Sequence, residues 1–285
     1  MNSFEYSAPT RLDDALTVLQ RYGPEARVLA GGTDLMIAMR ERGLRPACLV
    51  DIKRIAGLTD MALDAACTLR LGALVPVRDI ERAAPVRAQF PVLASAASML
   101  ASVQVRNLAT IGGNICNASP AADLAPPLLV LEAVATAVGP NGERKFPIAE
   151  LFAGPGRTTL NGEILTAFSI GAMPARARAI YLKHGPRNAM DIAIVGVAVL
   201  AVPDATGRTW EDVRIALGSV APTPIRVPAA EAVLRGAPIC PEVIEEAAEI
   251  VAREASPISD LRGSGDYRRA MVRSLTRRAL EGVSS

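Results

Sequence analysis

The sequence predicts a chain of mixed helix and strand, with an α/β element at its start and a separate α+β unit at its end. Three observations carry this reading. Between residues 27 and 52, a strand, a glycine turn, a helix and a second strand follow in order. Beyond residue 178, strand-like runs come first and helix-like runs last. Between these parts, residues 171–178 gather Gly, Pro, Ala and Arg, the composition of a boundary.

The elements follow from periodicity. Leu12, Ala15, Leu16 and Leu19 recur at helical spacing, so residues 11–22 read as a helix, with Thr10 as its cap and Gly23-Pro24 as its end. Residues 27–30 read as a strand, 35–41 as a helix stopping near Gly43, and 47–52 as a strand. Residues 69–73 and on to Val77 read as strand, and 92–100 as a helix rich in small residues. Residues 103–123 hold many turn residues and little helical period. Pro126-Pro127 opens an apolar helix or strand through Val138, Asn141-Gly142 marks a hairpin, and 163–170 reads as strand. Residues 179–183, 192–202 and 213–220 read as strands. Residues 229–235, 241–254 and 266–281 read as helices.

Bulk properties narrow the function. Half of the 285 residues are apolar, enough for a substantial core. With 31 basic and 29 acidic side chains and no run of five like charges, the composition offers no footprint for nucleic acid or an acidic membrane. The four cysteines, Cys48, Cys67, Cys116 and Cys240, form no CxxC pair, and His184 is the single histidine. No metal site is expected in this chain. The first residues are charged and lack the apolar stretch of an export signal, so reduced thiols in the cytoplasm are expected. The longest apolar run, 192–202, is too short for a membrane helix of about 20 residues and reads as a buried strand.

Two glycine turns stand out: Ala30-Gly31-Gly32-Thr33-Asp34 and Thr110-Ile111-Gly112-Gly113-Asn114. Neither a P-loop nor a GxGxxG after a strand is present. Glycine lets backbone approach a ligand closely and reach positive φ, so successive N–H groups can converge on an anion. The helix after the first turn adds the positive end of its dipole. Thr33, Thr110, Asn114 and Ser119 add neutral donors, and Asp123 suits sugar hydroxyls. A pyrophosphate can be held this way, and a pair of ordinary tight turns has the same pattern. Composition and spacing leave both open.

The residues 29–35, Leu-Ala-Gly-Gly-Thr-Asp-Leu, and 105–123, Val-Arg-Asn-Leu-Ala-Thr-Ile-Gly-Gly-Asn-Ile-Cys-Asn-Ala-Ser-Pro-Ala-Ala-Asp, resemble the FAD-binding medium subunits of the molybdenum hydroxylases, the family of xanthine dehydrogenase and carbon monoxide dehydrogenase. Residues 4–19, 49–53, 71–73, 183–193, 264–269 and 277–280 fit as well, so the resemblance covers nearly the whole chain. It implies an α+β chain: a vanillyl-alcohol-oxidase-like (PCMH-type) FAD-binding fold over residues 1–174, in subdomains of about 1–57 and 58–174, then a carbon-monoxide-dehydrogenase-flavoprotein-like α+β domain over 175–285. It places Leu29, Ala30, Gly31, Gly32, Thr33, Asp34, Leu35 and Met36 along the pyrophosphate and adenine side of FAD. Thr110, Ile111, Gly112, Gly113 and Asn114 hold the pyrophosphate and approach the isoalloxazine. Ser119 and Asp123 complete the second loop, Leu100, Ile164 and Leu165 also line the cofactor, and Lys183 lies near the flavin ring.

The resemblance implies an electron relay with no catalytic acid, base or nucleophile. Its expected partners are a large molybdopterin-binding subunit and a small subunit with two [2Fe-2S] clusters, in a dimer of heterotrimers. Electrons pass from those clusters to FAD, and from FAD to NAD⁺, oxygen or another acceptor. The alternatives are a stand-alone reductase related to the UDP-sugar enolpyruvyl reductases, and a scaffold that has lost its cofactor. No cysteine-bearing insertion for an extra iron–sulfur cluster is present, and Thr33-Asp34 stands where carbon monoxide dehydrogenases often carry His-Ser. His184 reads as a solvated loop residue, Asp191 as either a flavin-side or a turn carboxylate, Cys116 as a small packing residue and Trp210 as packing at a strand start.

Overall fold

The computed structural model describes residues 3–187 and 189–284. Its first unit begins with β1 (Glu5–Ser7), α1 (Leu12–Tyr22), β2 (Ala26–Leu29), α2 (Leu35–Glu41) and β3 (Cys48–Asp51). The strands pair in parallel in the order β1-β3-β2, with a helix in each connection, as parallel pairing requires. α1 buries Ala15, Leu16 and Leu19 against this sheet. It starts at Leu12 with Arg11 as its cap and no side-chain cap bond, so the expected Thr10 cap does not form. Asp13 and Asp14 in the first turn supply the favourable charge there instead. Gly23, at φ +51, ends the helix.

The second unit is an antiparallel sheet of order β4-β5-β10-β6-β7. Its strands β4 (Met61–Leu63) and β5 (Leu69–Gly72) lead into six short helices, α3 (Val77–Arg82), α4 (Ala84–Gln89), α5 (Pro91–Met99), α6 (Val103–Arg106), α7 (Ile111–Cys116) and α8 (Ala125–Val130). The chain returns through β6 (Val134–Gly139) and β7 (Gly142–Pro147), the small hairpin of β8 (Phe152–Gly154) and β9 (Arg157–Thr158), and β10 (Ile164–Ile170). The β6–β7 turn falls at Asn141-Gly142 as expected, with Gly142 at φ +97. Two expectations fail here. The strand at 69–77 stops at Gly72, because Pro76 fixes the extended cap from which α3 starts. The turn-rich stretch 103–123 holds two helices, because Ser102 and Thr110 cap them: their hydroxyl oxygens accept from Val105 N at 3.3 Å and Gly113 N at 3.0 Å. Local capping supplies what apolar period does not.

The third unit pairs β11 (Arg178–His184), β12 (Val195–Pro203), β13 (Trp210–Gly218) and β14 (Ile225–Arg226) antiparallel in that order, followed by α9 (Pro228–Leu234), α10 (Pro241–Glu254) and α11 (Gly265–Ser284). The long apolar run explains itself here. Along β12, Val195, Val197, Val199 and Ala201 join the core under the last helices, while Ala198, Leu200 and Val202 join the core of the second unit. A strand covered on both faces has no polar alternation to show. Trp210 is fully buried at the start of β13.

The third sheet is fastened to the second unit at the end of α8. Arg226 and Arg214 donate to the carbonyls of Leu129 at 3.2 Å and Val130 at 3.4 Å, and both pair with Glu132. Cations thereby meet the negative end of that helix. The first and second units meet through glycine. A Cβ on Gly31 would lie 1.9 Å from the Leu108 carbonyl oxygen; within the second unit, one on Gly112 would lie 2.6 Å from that of Ala73.

Two outcomes follow. Gly112→Ala forces backbone apart in a filled core, at a cost of about 1–3 kcal/mol. Gly171→Ala, where a Cβ meets nothing within 4 Å, costs far less. Thermal melts of the two variants check this ordering. Paired cations and hydrogen bonds hold Asp51, Glu81, Glu163, Asp212 and Asp260 below the ordinary carboxylate range, against the opposing effect of their desolvation. Groups lowered on folding give stability above their unfolded values and lose it as pH falls through their folded values. The melting temperature is therefore expected to hold on acidification until about pH 4.5 and to fall below it. A flat profile down to pH 3 would contradict those pairings.

Candidate functional site

The site forms where the first glycine turn meets α7. β2 ends at Leu29, whose carbonyl accepts from Ile52 N, and the chain turns through Ala30 and Gly31 to Gly32 at φ +75. Gly32 O then accepts from Met36 N at 3.0 Å as α2 begins at Leu35. Among the described residues, the N–H groups of Gly31, Gly32, Thr33 and Asp34 have no acceptor. This row of open backbone donors at a left-handed glycine can take an anion. Lys53 flanks it: its Nζ donates to Ala30 O at 3.4 Å and pairs with the buried Asp51 at 2.8 Å. Desolvation raises the Asp34 carboxyl, with Arg42 opposing. Met36 is exposed.

The second turn is built differently. Its glycines lie inside α7, at no positive φ, and the N–H groups of Ile111, Gly112, Gly113 and Asn114 go to Val75 O, Ala73 O, Thr110 Oγ1 and Thr110 O. These amides are already occupied. What the missing side chains provide is approach: α7 lies against Ala73, and Gly113 comes near Ala30 of the first turn. Asn114 Oδ1 is buried with no partner, so the site contains an acceptor that the protein itself does not satisfy. Ser119 Oγ accepts from Ala121 N at 3.2 Å.

Asp123 is buried and joins this segment to the third sheet. Tyr181 Oη donates to its Oδ1 at 2.8 Å, and Lys183 Nζ donates to its Oδ2 at 2.7 Å and to Met99 O at 3.1 Å. Strand alternation puts Tyr181 and Lys183 on one face of β11. Burial raises the Asp123 carboxyl even with the Lys183 charge and both hydrogen bonds acting against it, and burial beside Asp123 raises the Tyr181 hydroxyl. Each carboxylate oxygen keeps a lone pair beyond the bond it accepts here.

The remaining residues named from the sequence are spread around this centre. Leu100 follows α5, and its carbonyl accepts from Arg106 Nη1 at 2.8 Å. Ile164 and Leu165 lie on β10, both buried, Ile164 in the core of the first unit and Leu165 in that of the second. His184 ends β11 and meets the Tyr267 hydroxyl at 2.8 Å, so it belongs to a strand rather than a loop. Asp191 pairs with Arg187 and accepts from Ile192 N, the turn role. Cys116 packs against the core, and burial pushes its thiol up to about 12. No group of metal ligands occurs among the described residues. Sequence reasoning missed Tyr181 and Arg106. The two-residue spacing from Lys183 and the position of Arg106 inside the second motif were the available signals.

Comparisons with known proteins give the family and the fold. Residues 2–172 match the family model described as the FAD binding domain in molybdopterin dehydrogenase, and residues 180–283 match the CO dehydrogenase flavoprotein C-terminal domain. The chain is 34% identical to the xanthine dehydrogenase FAD-binding subunit of Escherichia coli O157:H7, over 96% of this chain and 94% of that one. It is 35% identical to the carbon monoxide dehydrogenase medium chain of Hydrogenophaga pseudoflava, over 98% and 96%. A solved structure of the carbon monoxide dehydrogenase from that organism superposes with a TM-score of 0.94 at 36% identity, over 98% of this chain and 96% of that one. Quinoline 2-oxidoreductase from Pseudomonas putida 86 superposes at 0.92 with 28% identity, over 99% and 97%. With the open donors of the first turn, the close-packed α7 and the bridge through Asp123, the chain belongs to the family of FAD-binding medium subunits of the molybdenum hydroxylases.

Proposed function

We propose that this chain takes electrons from the [2Fe-2S] clusters of a small partner subunit and passes them to NAD⁺, oxygen or another acceptor. It does so beside a large molybdopterin-binding subunit, in a cytoplasmic dimer of heterotrimers. The observation that carries the reading is the Gly31–Asp34 row of unpartnered N–H groups set against α7, whose Asn114 Oδ1 also lacks a partner. FAD, when bound, supplies the chemistry, because a flavin exchanges electrons singly or in pairs.

The chain's own residues bind and tune. Gly31, Gly32, Thr33 and Asp34 offer backbone donors to a pyrophosphate, with Leu29, Ala30, Leu35 and Met36 forming the rest of that loop. Gly112 and Gly113 let α7 come close, and Thr110, Ile111, Asn114 and Ser119 line the second side. Asp123 accepts a hydroxyl on its remaining lone pairs. Leu100, Ile164 and Leu165 exclude water from the cofactor. Lys183 places a cation near the ring, where it favours an anionic reduced form. The FAD-binding part extends over residues 1–174 and the third unit over 175–285.

The chain expressed alone is expected to be yellow and to release FAD on acid treatment, with iron and molybdenum co-purifying only with its partners. A folded, colourless chain that takes up no added FAD would sink the proposal. Lys183→Met should lower the flavin reduction potential and slow turnover, and an unchanged potential would remove the tuning role.

A further inference from the structure

Three consecutive carbonyls at the end of α5 are each held by a different part of the molecule. Met99 O accepts from Lys183 Nζ of β11 at 3.1 Å. Leu100 O accepts from Arg106 Nη1 of α6 at 2.8 Å. Ala101 O accepts from Met190 N, in the loop between β11 and β12, at 3.4 Å. Ala101 sits at φ +44, a conformation that an L residue keeps only when its surroundings impose it. With the Asp123 bridge, this strap holds the second unit against β11 and the loop that follows it.

Arg106 is the one member of the set that holds the strap from within the second unit. Its side chain is 9% exposed, and its Nε pairs with Glu81 Oε2 at 2.8 Å. Glu81 also takes Arg78 at 2.7 Å, and the two guanidinium groups keep its carboxyl below the ordinary range although burial opposes them. A buried guanidinium with a fixed carboxylate is a rigid fork, and its remaining arm reaches the middle carbonyl of the strap. Pulling on Leu100 O fixes the peptides on either side of it, and those present Met99 O to Lys183 and Ala101 O to Met190.

We propose that Arg106 is a positioning residue: with Glu81 as its counter-ion it holds the Met99–Ala101 strap, and through Met99 O it sets where the Lys183 cation sits beside the cofactor. The inference rests on the FAD-binding reading and goes beyond it, because Arg106 reaches the cofactor only through the strap. Lysine cannot reproduce the fork, since it offers a point charge instead of two directed arms.

The test uses the full chain as wild type, Arg106→Lys, Lys183→Met and the double variant. The readouts are amide hydrogen exchange without FAD, the Kd for added FAD and the potential of the bound flavin. In Arg106→Lys the Met190 amide should exchange faster, the Kd should rise about tenfold and the potential should move the same way as in Lys183→Met. The double variant should shift the potential no further than Lys183→Met alone, because both changes act through one cation. Additive potential shifts, or an Arg106→Lys chain that melts earlier with unchanged exchange, Kd and potential, would overturn the proposal. If Arg106→Lys does not fold, Glu81→Gln should give the same pattern with smaller shifts, and no shift would overturn it. A wild-type chain that binds no FAD refutes the functional reading instead, while Met190 exchange still decides whether Arg106 holds the strap.

Discussion

A carboxylate that is buried must be paired, and most of this structure's organisation can be followed outward from the one at Asp123. Two donors, Tyr181 and Lys183, reach it from the third sheet, and removing one member of such a pair typically costs about 3–5 kcal/mol. The pairing fixes the end of the second glycine segment against β11. The same lysine then holds Met99 O, which places the end of α5 as well. Near this bridge the contact is completed by Ser219 N on Pro120 O, and at the far end of α8 by Arg214 and Arg226. The third unit thereby closes on the domain that carries the glycine turns, and in the proposed reading it forms a wall of the cofactor site.

The two glycine turns do different work. The first leaves its N–H groups open and uses positive φ at Gly32, a backbone arrangement that suits the anion of the proposed function. The second spends its N–H groups inside α7 and at Ala73 and Val75, so its glycines serve closeness. Three of the four glycines, Gly31, Gly112 and Gly113, are further constrained by their own protein neighbours, Leu108, Ala73 and Thr110. The motif is thus a packing device, and in the proposed function a ligand device as well. A side chain at Gly31 pushes the first unit off the second, and one at Gly112 pushes α7 off Ala73 within the second unit.

Much of this was legible in the sequence, for reasons that differ by element. α2 and α10 lie over residues 35–41 and 241–254 as expected, and α10 buries one stripe, Ile244, Ala247, Ala248 and Val251. β12 was legible as a buried strand because both of its faces are covered. The helices α6 and α7 were not, since they depend on the hydroxyls of Ser102 and Thr110 and on contacts with Ala73, and these leave no apolar rhythm. At the site, the resemblance named Asp123 and Lys183 separately. That they form one ion pair is a fact of tertiary geometry, carried across 60 positions of sequence. Arg106 lay in plain view inside the motif, but its role depends on the course of the backbone at Leu100.

The division of labour between the two turns is the central physical claim, and amide hydrogen exchange with and without FAD tests it directly. The account predicts fast exchange at Gly31, Gly32, Thr33 and Asp34 in the free chain and marked slowing when FAD is added. At Ile111–Asn114 it predicts slow exchange in both states, since those amides already have acceptors. No FAD-dependent protection at the first turn, or protection gained chiefly at the second, would contradict it.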